Sequence, residues 1–203
     1  MIHLSSKQHD IEIILSVDLS DPCLKEYTKL SKAFETRLTV NDNSCCVQAV
    51  NHAACEASGE LIINLSDDAV YFEDYDLAFC EALHIHPEFN MDCVIGVYDG
   101  IKSRLMTQCI LTQKYYNRFG YIYHPDYKSM YADDEYTEVA YKLNRVLEAR
   151  HLTVQHLHYT VGAAAFDDTY AKQNHPDAYA WGQSVYNQRA ADNFDINPDW
   201  VRT

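Results

Sequence analysis

Apolar positions fall first into short runs and then into helical stripes, and the two alternate. Residues 11–17, IEIILSV, predict a compact apolar strand, closed by the turn-and-cap sequence Asp18-Leu19-Ser20-Asp21-Pro22. Leu24, Tyr27, Leu30 and Phe34 then recur at helical spacing with Lys25, Glu26, Lys29 and Lys32 between them, which predicts a helix with one apolar face. Residues 37–40 predict a short strand, Asn41-Asp42-Asn43-Ser44 a turn, and residues 47–57 a small-residue helix capped by Gly59. Residues 60–68, ELIINLSDD, predict an interior strand that delivers two adjacent carboxylates, Asp67 and Asp68, to its C-terminal end. Strand, helix, strand, helix, strand is the order of an α/β protein with a parallel sheet covered on both faces.

The pattern continues with a helix over 73–84, whose Tyr75, Ala78, Phe79 and Leu83 share a side, and strands over 93–97 and 107–111. A short helix over 113–119 stops at Gly120, and 121–130 is an aromatic loop. Residues 133–150 predict a long helix with the stripe Tyr136, Val139, Ala140, Leu143, Val146 and Leu147 and an acidic first turn that suits the helix dipole. Residues 152–157 predict a strand and 178–194 a terminal helix, followed by a tail containing Pro198. With 203 residues the chain predicts a single domain over 1–203, in which 166–203 form a C-terminal helical extension.

The formal net charge of −14, without any block of Lys or Arg, argues against nucleic acid or an anionic membrane surface as partner. Seven cysteines form an odd set with no metal-binding spacing and predict reduced core residues in a reducing, cytoplasmic compartment. The N-terminus lacks the layout of a signal peptide, and no stretch approaches the roughly 20 apolar residues that span a bilayer, so no transmembrane segment is expected. Sixteen tyrosines suit either a surface that stacks on sugars or bases or, for most of them, a core with polar handles.

Ligands of open α/β sheets bind outside the carboxyl ends of the strands, so acids placed there are the candidate chemistry. Taken alone, Asp67 and Asp68 read more readily as N-caps of the following segment than as a ligand site. Comparable clusters are Asp18-Leu19-Ser20-Asp21, Ala132-Asp133-Asp134-Glu135 and His156-Leu157-His158. In this order, with the stretch AVNHAACEASGELIINLSDD between them, they resemble the nucleotide-binding half of the GT-A fold glycosyltransferases of the large inverting family, over roughly residues 11–165. The resemblance implies a mostly parallel central sheet, a nucleotide-diphosphate sugar as donor substrate, and Mn2+ or Mg2+ to neutralise the leaving diphosphate.

By that resemblance Asp68 is a metal ligand, Asp67 contacts the ribose or a metal-bound water, and His158 completes the metal shell, with His156 an equal alternative two residues away. Asp134 is the base that takes the acceptor hydroxyl's proton and Asp133 orients it; the bland reading of both is dipole-complementing caps. Asp18 contacts the nucleoside, and Asn51 either braces the nucleotide loop or is an ordinary helix amide. The expected partners are a nucleotide sugar and a saccharide or other hydroxyl acceptor. The sequence departs from the family pattern at Ser66, where an acid is usual, at Val50, where many members have Arg, and before residue 11, where only ten residues precede what looks like the family's second strand. These departures motivate a rival expectation, a non-catalytic sugar- or nucleotide-binding module on the same scaffold.

Overall fold

The computed structural model describes residues 2–66, 68–163, 171 and 174–203. In chain order its elements are β1 (Ile14–Asp18), α1 (Leu24–Ala33), β2 (Arg37–Asn41), α2 (Cys46–Cys55), β3 (Leu61–Ile63), β4 (Ala69–Val70) and α3 (Tyr75–Ile85). There follow β5 (Val94–Tyr98), β6 (Ile110–Thr112), α4 (Gln113–Tyr116), α5 (Ala132–Lys142), β7 (Val146–Thr153), β8 (Gln155–His156) and α6 (Pro176–Ala191). The fold is mixed α/β.

The strands form one four-stranded sheet and two separate pairs. In the sheet the order is β3-β6-β5-β7, with β5 and β7 parallel and β6 antiparallel to both of its neighbours. β1 and β2 pair in parallel, from Ile14 opposite Arg37 to Asp18 opposite Asn41, and β4 pairs antiparallel with β8. The expected mostly parallel central sheet is thus corrected to a mixed one divided in three, and β3 is an edge strand of three residues rather than a long interior strand.

Both faces of the four-stranded sheet are covered. Alternate side chains project to opposite faces, so Ile62, Val94, Cys109 and Leu111 join the cluster formed with Tyr136, Val139, Ala140 and Leu143 of α5. Leu61, Ile63, Ile95, Val97, Ile110 and Leu147 meet Tyr75, Phe79, Ala82 and Leu83 of α3 on the other. A fully buried aliphatic side chain such as Ile95 or Leu143 stabilises the fold by about 1.5–3 kcal/mol. α2 joins the first cluster through Ala54 while packing its start, Val47, against Tyr127 and Ala132.

Several boundaries differ from the sequence pattern for identifiable reasons. The helix expected over 133–150 ends at Lys142, because Asn144 adopts a left-handed φ of 56° and breaks the ladder. Val146 and Leu147 then belong to β7, which turns Leu147 and Ala149 to the α3 side while Leu143 stays on the α5 side. The expected strand over 152–157 is instead the end of β7 and the two-residue β8. α2 stops at Cys55 with Glu56, not Gly59, as its cap; the Gly59 amide donates to Glu12 instead.

The apolar stripe of α1 is not a core stripe. Ser31 is the buried residue of that helix at 6% exposure, while Tyr27, Leu30 and Phe34 face outward, Phe34 at 68%. Cys93 and Cys109 are buried as expected of core thiols, but Cys23, Cys46 and Cys55 are exposed. The chain after α6 is no loose tail. Trp200 stacks edge-on against Phe119, the Arg202 amide donates to the Leu143 carbonyl, and Arg145 donates to the Trp200 carbonyl. Arg145 also shares the buried Asp92 carboxylate with Arg118, which fixes the start of β5. Among the described residues no helix is long and apolar enough to cross a membrane.

Candidate functional site

In the four-stranded sheet β3 and β5 finish at the end where β6 begins, and β1 finishes at Asp18 in its own pair. Asp18, the last residue of β1, accepts a hydrogen bond from Asn43 Nδ2 at 2.8 Å, and Asn43 Oδ1 meets His52 Nδ1 at 2.5 Å. That chain of contacts ties the end of β1 to α2. Next to His52 on α2, Asn51 uses its whole amide on the aromatic loop: Oδ1 accepts from the Ile122 and Tyr123 amides and Nδ2 donates to the Tyr123 carbonyl at 2.7 Å. Asn51 therefore braces residues 122–123. The loop it holds presents Tyr123, whose hydroxyl receives Cys109 Sγ at 3.2 Å and Asn64 Nδ2 at 3.4 Å, at the end of β3.

Asp68 lies two residues beyond Ser66, whose hydroxyl donates to Asp68 Oδ1 at 2.6 Å. Its other oxygen, Oδ2, is 3.0 Å from His156 Nε2. The contact follows from the β4–β8 register, which puts Ala69 opposite His156. His158 lies beyond the strand, where the chain turns so that the His158 amide donates to the His156 carbonyl. Its ring packs at 5.1 Å from that of His156 and at 4.4 Å from Tyr159. Burial, and then the neighbouring His156, lower its pKa against the pull of Asp68 and Asp99. The structure thus places His156 on the Asp68 carboxylate and His158 one ring further out; Asp67 lies outside the described residues.

Asp133 and Asp134 occupy the first turn of α5, and Asp133 Oδ1 accepts from the Asp134 amide at 3.1 Å. Their environments differ. Burial, reinforced by the charges of Asp134 and Asp99, pushes the Asp133 carboxyl up to about 6, so it holds its proton into the near-neutral range. Burial also raises Asp134, but the Lys102 ammonium opposes it and favours the ionised form. Behind the pair, Glu135 turns the other way and is held by Arg189 of α6 at 2.8 Å and by the Tyr127 hydroxyl at 2.8 Å.

Asp99 joins the two halves of this region. It follows the last residue of β5, its carbonyl accepts from the His156 amide at 2.9 Å, and its charge acts on Asp133. Its carboxylate organises the loop that follows: Oδ1 accepts from the Ile101 and Lys102 amides and Oδ2 from the Thr107 hydroxyl. That loop is clamped onto α5, where the Thr137 hydroxyl accepts from the Met106 amide and Arg104 pairs with Glu138 while covering the Tyr141 ring. The sequence reading passed over Asp99 although it carries the same signal as Asp18, an acid closing an apolar strand. Lys102 carried no signal of its own, since its role depends on how the loop folds.

Among the described residues no group of three or more His, Cys, Asp or Glu side chains is arranged to hold a metal ion. The Asp68–His156 pair offers one oxygen and one nitrogen donor, so a hard cation there would draw most of its oxygens from substrate or solvent. The arrangement can do two things chemically: hold a polar or cation-bearing group at Asp68–His156, and exchange a proton at Asp133–Asp134. Compared with known protein families, curated proteins and solved structures, the chain matches none.

Proposed function

We propose that this chain is a GT-A-like glycosyltransferase that moves a sugar from a nucleotide-diphosphate donor to a hydroxyl acceptor with inversion. The observation that carries the reading is Asp99, bonded through its main chain to His156 and acting electrostatically on Asp133. In this reading the donor-side pair Asp68–His156 and the acceptor-side pair Asp133–Asp134 serve one region beside Asp99. Here Asp68 and His156 would hold Mn2+ or Mg2+, which would supply charge neutralisation for the leaving diphosphate, and Asp18 and Asn51 support the nucleoside side. Asp134, whose ionised form Lys102 favours against burial, accepts the proton of the attacking hydroxyl, and Asp133, which accepts from the Asp134 amide, orients it.

Calorimetric titration of nucleotide diphosphates, with and without manganese, on the wild type and Asp68→Ala tests this directly. Manganese-dependent binding that disappears in the variant is the expected result. Binding that survives in Asp68→Ala would remove the donor site from this strand end.

A second reading, a non-catalytic sugar- or nucleotide-binding module, draws on the division of the sheet. β1 and β2 are hydrogen-bonded to no other described strand, so the Asp18 end is not held in one sheet with Asp68. Nucleotide binding without hydrolysis or transfer to any acceptor in a broad panel would favour it.

A further inference from the structure

Strands β1 and β3 begin side by side but belong to separate sheets. Glu12, two residues before β1, accepts at Oε1 from the Ser58 amide at 2.6 Å, the Ser58 hydroxyl at 2.9 Å and the Gly59 amide at 3.1 Å, just before β3. A side chain, not a ladder, therefore joins the two starts. Ile11, just before β1, packs in one cluster with Leu61 and Ile63, and β1 is more buried than β2, so β1 is the strand of its pair nearer to β3. α2 lies across both strands, packed on β1 and sharing a cluster with Ile62 through Ala54. At the far ends Asp18 reaches His52 of α2 through Asn43, and Asn64 reaches Asn51 of α2 through Tyr123. The two strands thus run in the same direction beside one helix.

Main-chain groups of successive strand residues point alternately to the two edges. The Arg37 amide donates to the Ile13 carbonyl and the Leu19 amide to the Asn41 carbonyl, so Ile14 and Ser16 turn theirs away from β2. The Asn64 amide donates to the Cys109 carbonyl and the Gln113 amide to the Glu60 carbonyl, so Leu61 and Ile63 turn theirs away from β6. Among the described residues the N–H and C=O of these four make no hydrogen bond, although all four are half-buried. The Ser16 hydroxyl, shut off from solvent, makes none either. Buried main-chain groups are nearly always paired.

We propose that the gap between β1 and β3 binds an extended segment of a partner protein, apolar in its middle and basic at its ends, which hydrogen-bonds to both edges. Strand addition of this kind draws its affinity from edge main-chain groups. Residues 38–101 contain no Lys or Arg. Glu56 and Glu60 are exposed where the gap starts, and Asp18 and Asp68 stand where it finishes, so basic residues suit both ends. The inference does not depend on the glycosyltransferase reading. A strand seated there would join Asp18 and Asp68 in one sheet.

Hydrogen exchange followed by NMR on the full chain tests this. The probes are capped peptides of about eight residues, within the usual strand range, with a lysine at each end and threonine alternating with valine, isoleucine or phenylalanine between. In the free chain the amides of Ile14, Ser16, Leu61 and Ile63 should exchange freely, and at least one peptide should slow all four about 10-fold or more. The same peptide with N-methylated threonines, which closes one of its edges without altering the protein, should bind about 10-fold more weakly. Glutamate in place of the end lysines should weaken it about 3-fold or more. Ser16→Pro removes a donor facing the gap and spares the β1–β2 ladder, and should weaken binding about 3- to 10-fold.

Slow exchange of these amides in the dilute free chain would mean that the chain pairs both edges itself, and would overturn the proposal. So would an absence of protection by every peptide, or equal binding of the N-methylated one or of Ser16→Pro. Equal binding of the glutamate-ended peptide would overturn the basic ends. Protection that grows with protein concentration without peptide would assign the gap to a second copy and overturn the partner.

Discussion

Arg189 Nε reaches both carboxylate oxygens of Glu135, at 2.8 and 2.9 Å, and both side chains are nearly fully buried. The contact bolts α6 to the first turn of α5, directly behind Asp133 and Asp134. Arg189 also pairs with Asp195 at 2.8 Å and donates to the Phe194 carbonyl, so its removal leaves a buried carboxylate and two further acceptors without their donor. Breaking one side of a buried pair costs about 3–5 kcal/mol. Arg189→Met is therefore expected to lower Tm by roughly 6–20 °C for a chain of this size. The double variant Arg189→Met/Glu135→Leu should recover part of that loss, because the stranded charge goes with its partner. Thermal denaturation of the two variants side by side checks this, and equal Tm values would mean that the charge is not what makes the single variant unstable.

Asp133 gives stability an unusual pH dependence. Its folded-state pKa of about 6 lies above the ordinary carboxylate value near 4, so between those values the folded chain holds more of this proton than the unfolded one. Its contribution to stability therefore falls as pH rises from about 4 to 6 and is fully lost above that. Asp133→Asn, which is never charged, should be more stable than wild type by about 3 kcal/mol at pH 7.5 and nearly indistinguishable at pH 4. Urea denaturation midpoints at the two pH values measure the difference. Under the proposed function the same variant should lose activity, trading function for stability.

The residues that misled the sequence reading explain how far it can go. Strands β5 and β2 and helices α2 and α3 stand close to where periodicity put them, since each is bounded by turn residues and keeps one period. Val146 and Leu147 extend the helical spacing of Val139 and Leu143, so nothing in the pattern separates α5 from β7; the break is a backbone conformation at Asn144. In α1, periodicity correctly grouped Tyr27, Leu30 and Phe34 on one side but could not say whether anything covers them. Acids at strand ends and helix starts were legible. That His156 meets Asp68 depends on the register of a two-residue strand. That Asp133 and Asp134 differ depends first on how deeply each is buried and then on a lysine from a distant loop.

The segment before β1 is tied down by Asp76 in α3. Its carboxylate accepts from the Ser6 amide at 2.8 Å, from the Ser6 hydroxyl at 2.6 Å and faces His9 Nδ1 at 2.8 Å. Burial works against the charge, but these hydrogen bonds outweigh it and hold the Asp76 pKa well below the usual range. Because the folded pKa is depressed, this stabilisation is complete above about pH 4 and is lost as pH falls below that. Asp76→Asn keeps some acceptor capacity but loses the charge, and should cost about 1–3 kcal/mol at pH 7. Amide hydrogen exchange should show residues 4–9 opening faster in the variant at pH 7, whereas unchanged protection would place the anchor of this segment elsewhere.

Gly182 offers the sharpest test of how α6 is seated, because here the usual rule reverses. Replacing a helical glycine by alanine ordinarily stabilises by about 1 kcal/mol. At Gly182 the added methyl would overlap the Met130 carbonyl and approach Tyr131 Cδ2 at 3.0 Å, so either α6 lifts or the start of α5 shifts. Overpacking of this kind costs about 1–3 kcal/mol. Gly182→Ala is therefore expected to lower Tm, while Ser184→Ala, at an exposed position of the same helix, should leave it equal or slightly raised. Since Tyr131 and Asp133 are two residues apart, a shifted α5 start should also move the Asp133 titration, which NMR of its carboxyl carbon can follow. A stabilised Gly182→Ala would mean that α6 does not rest on Met130.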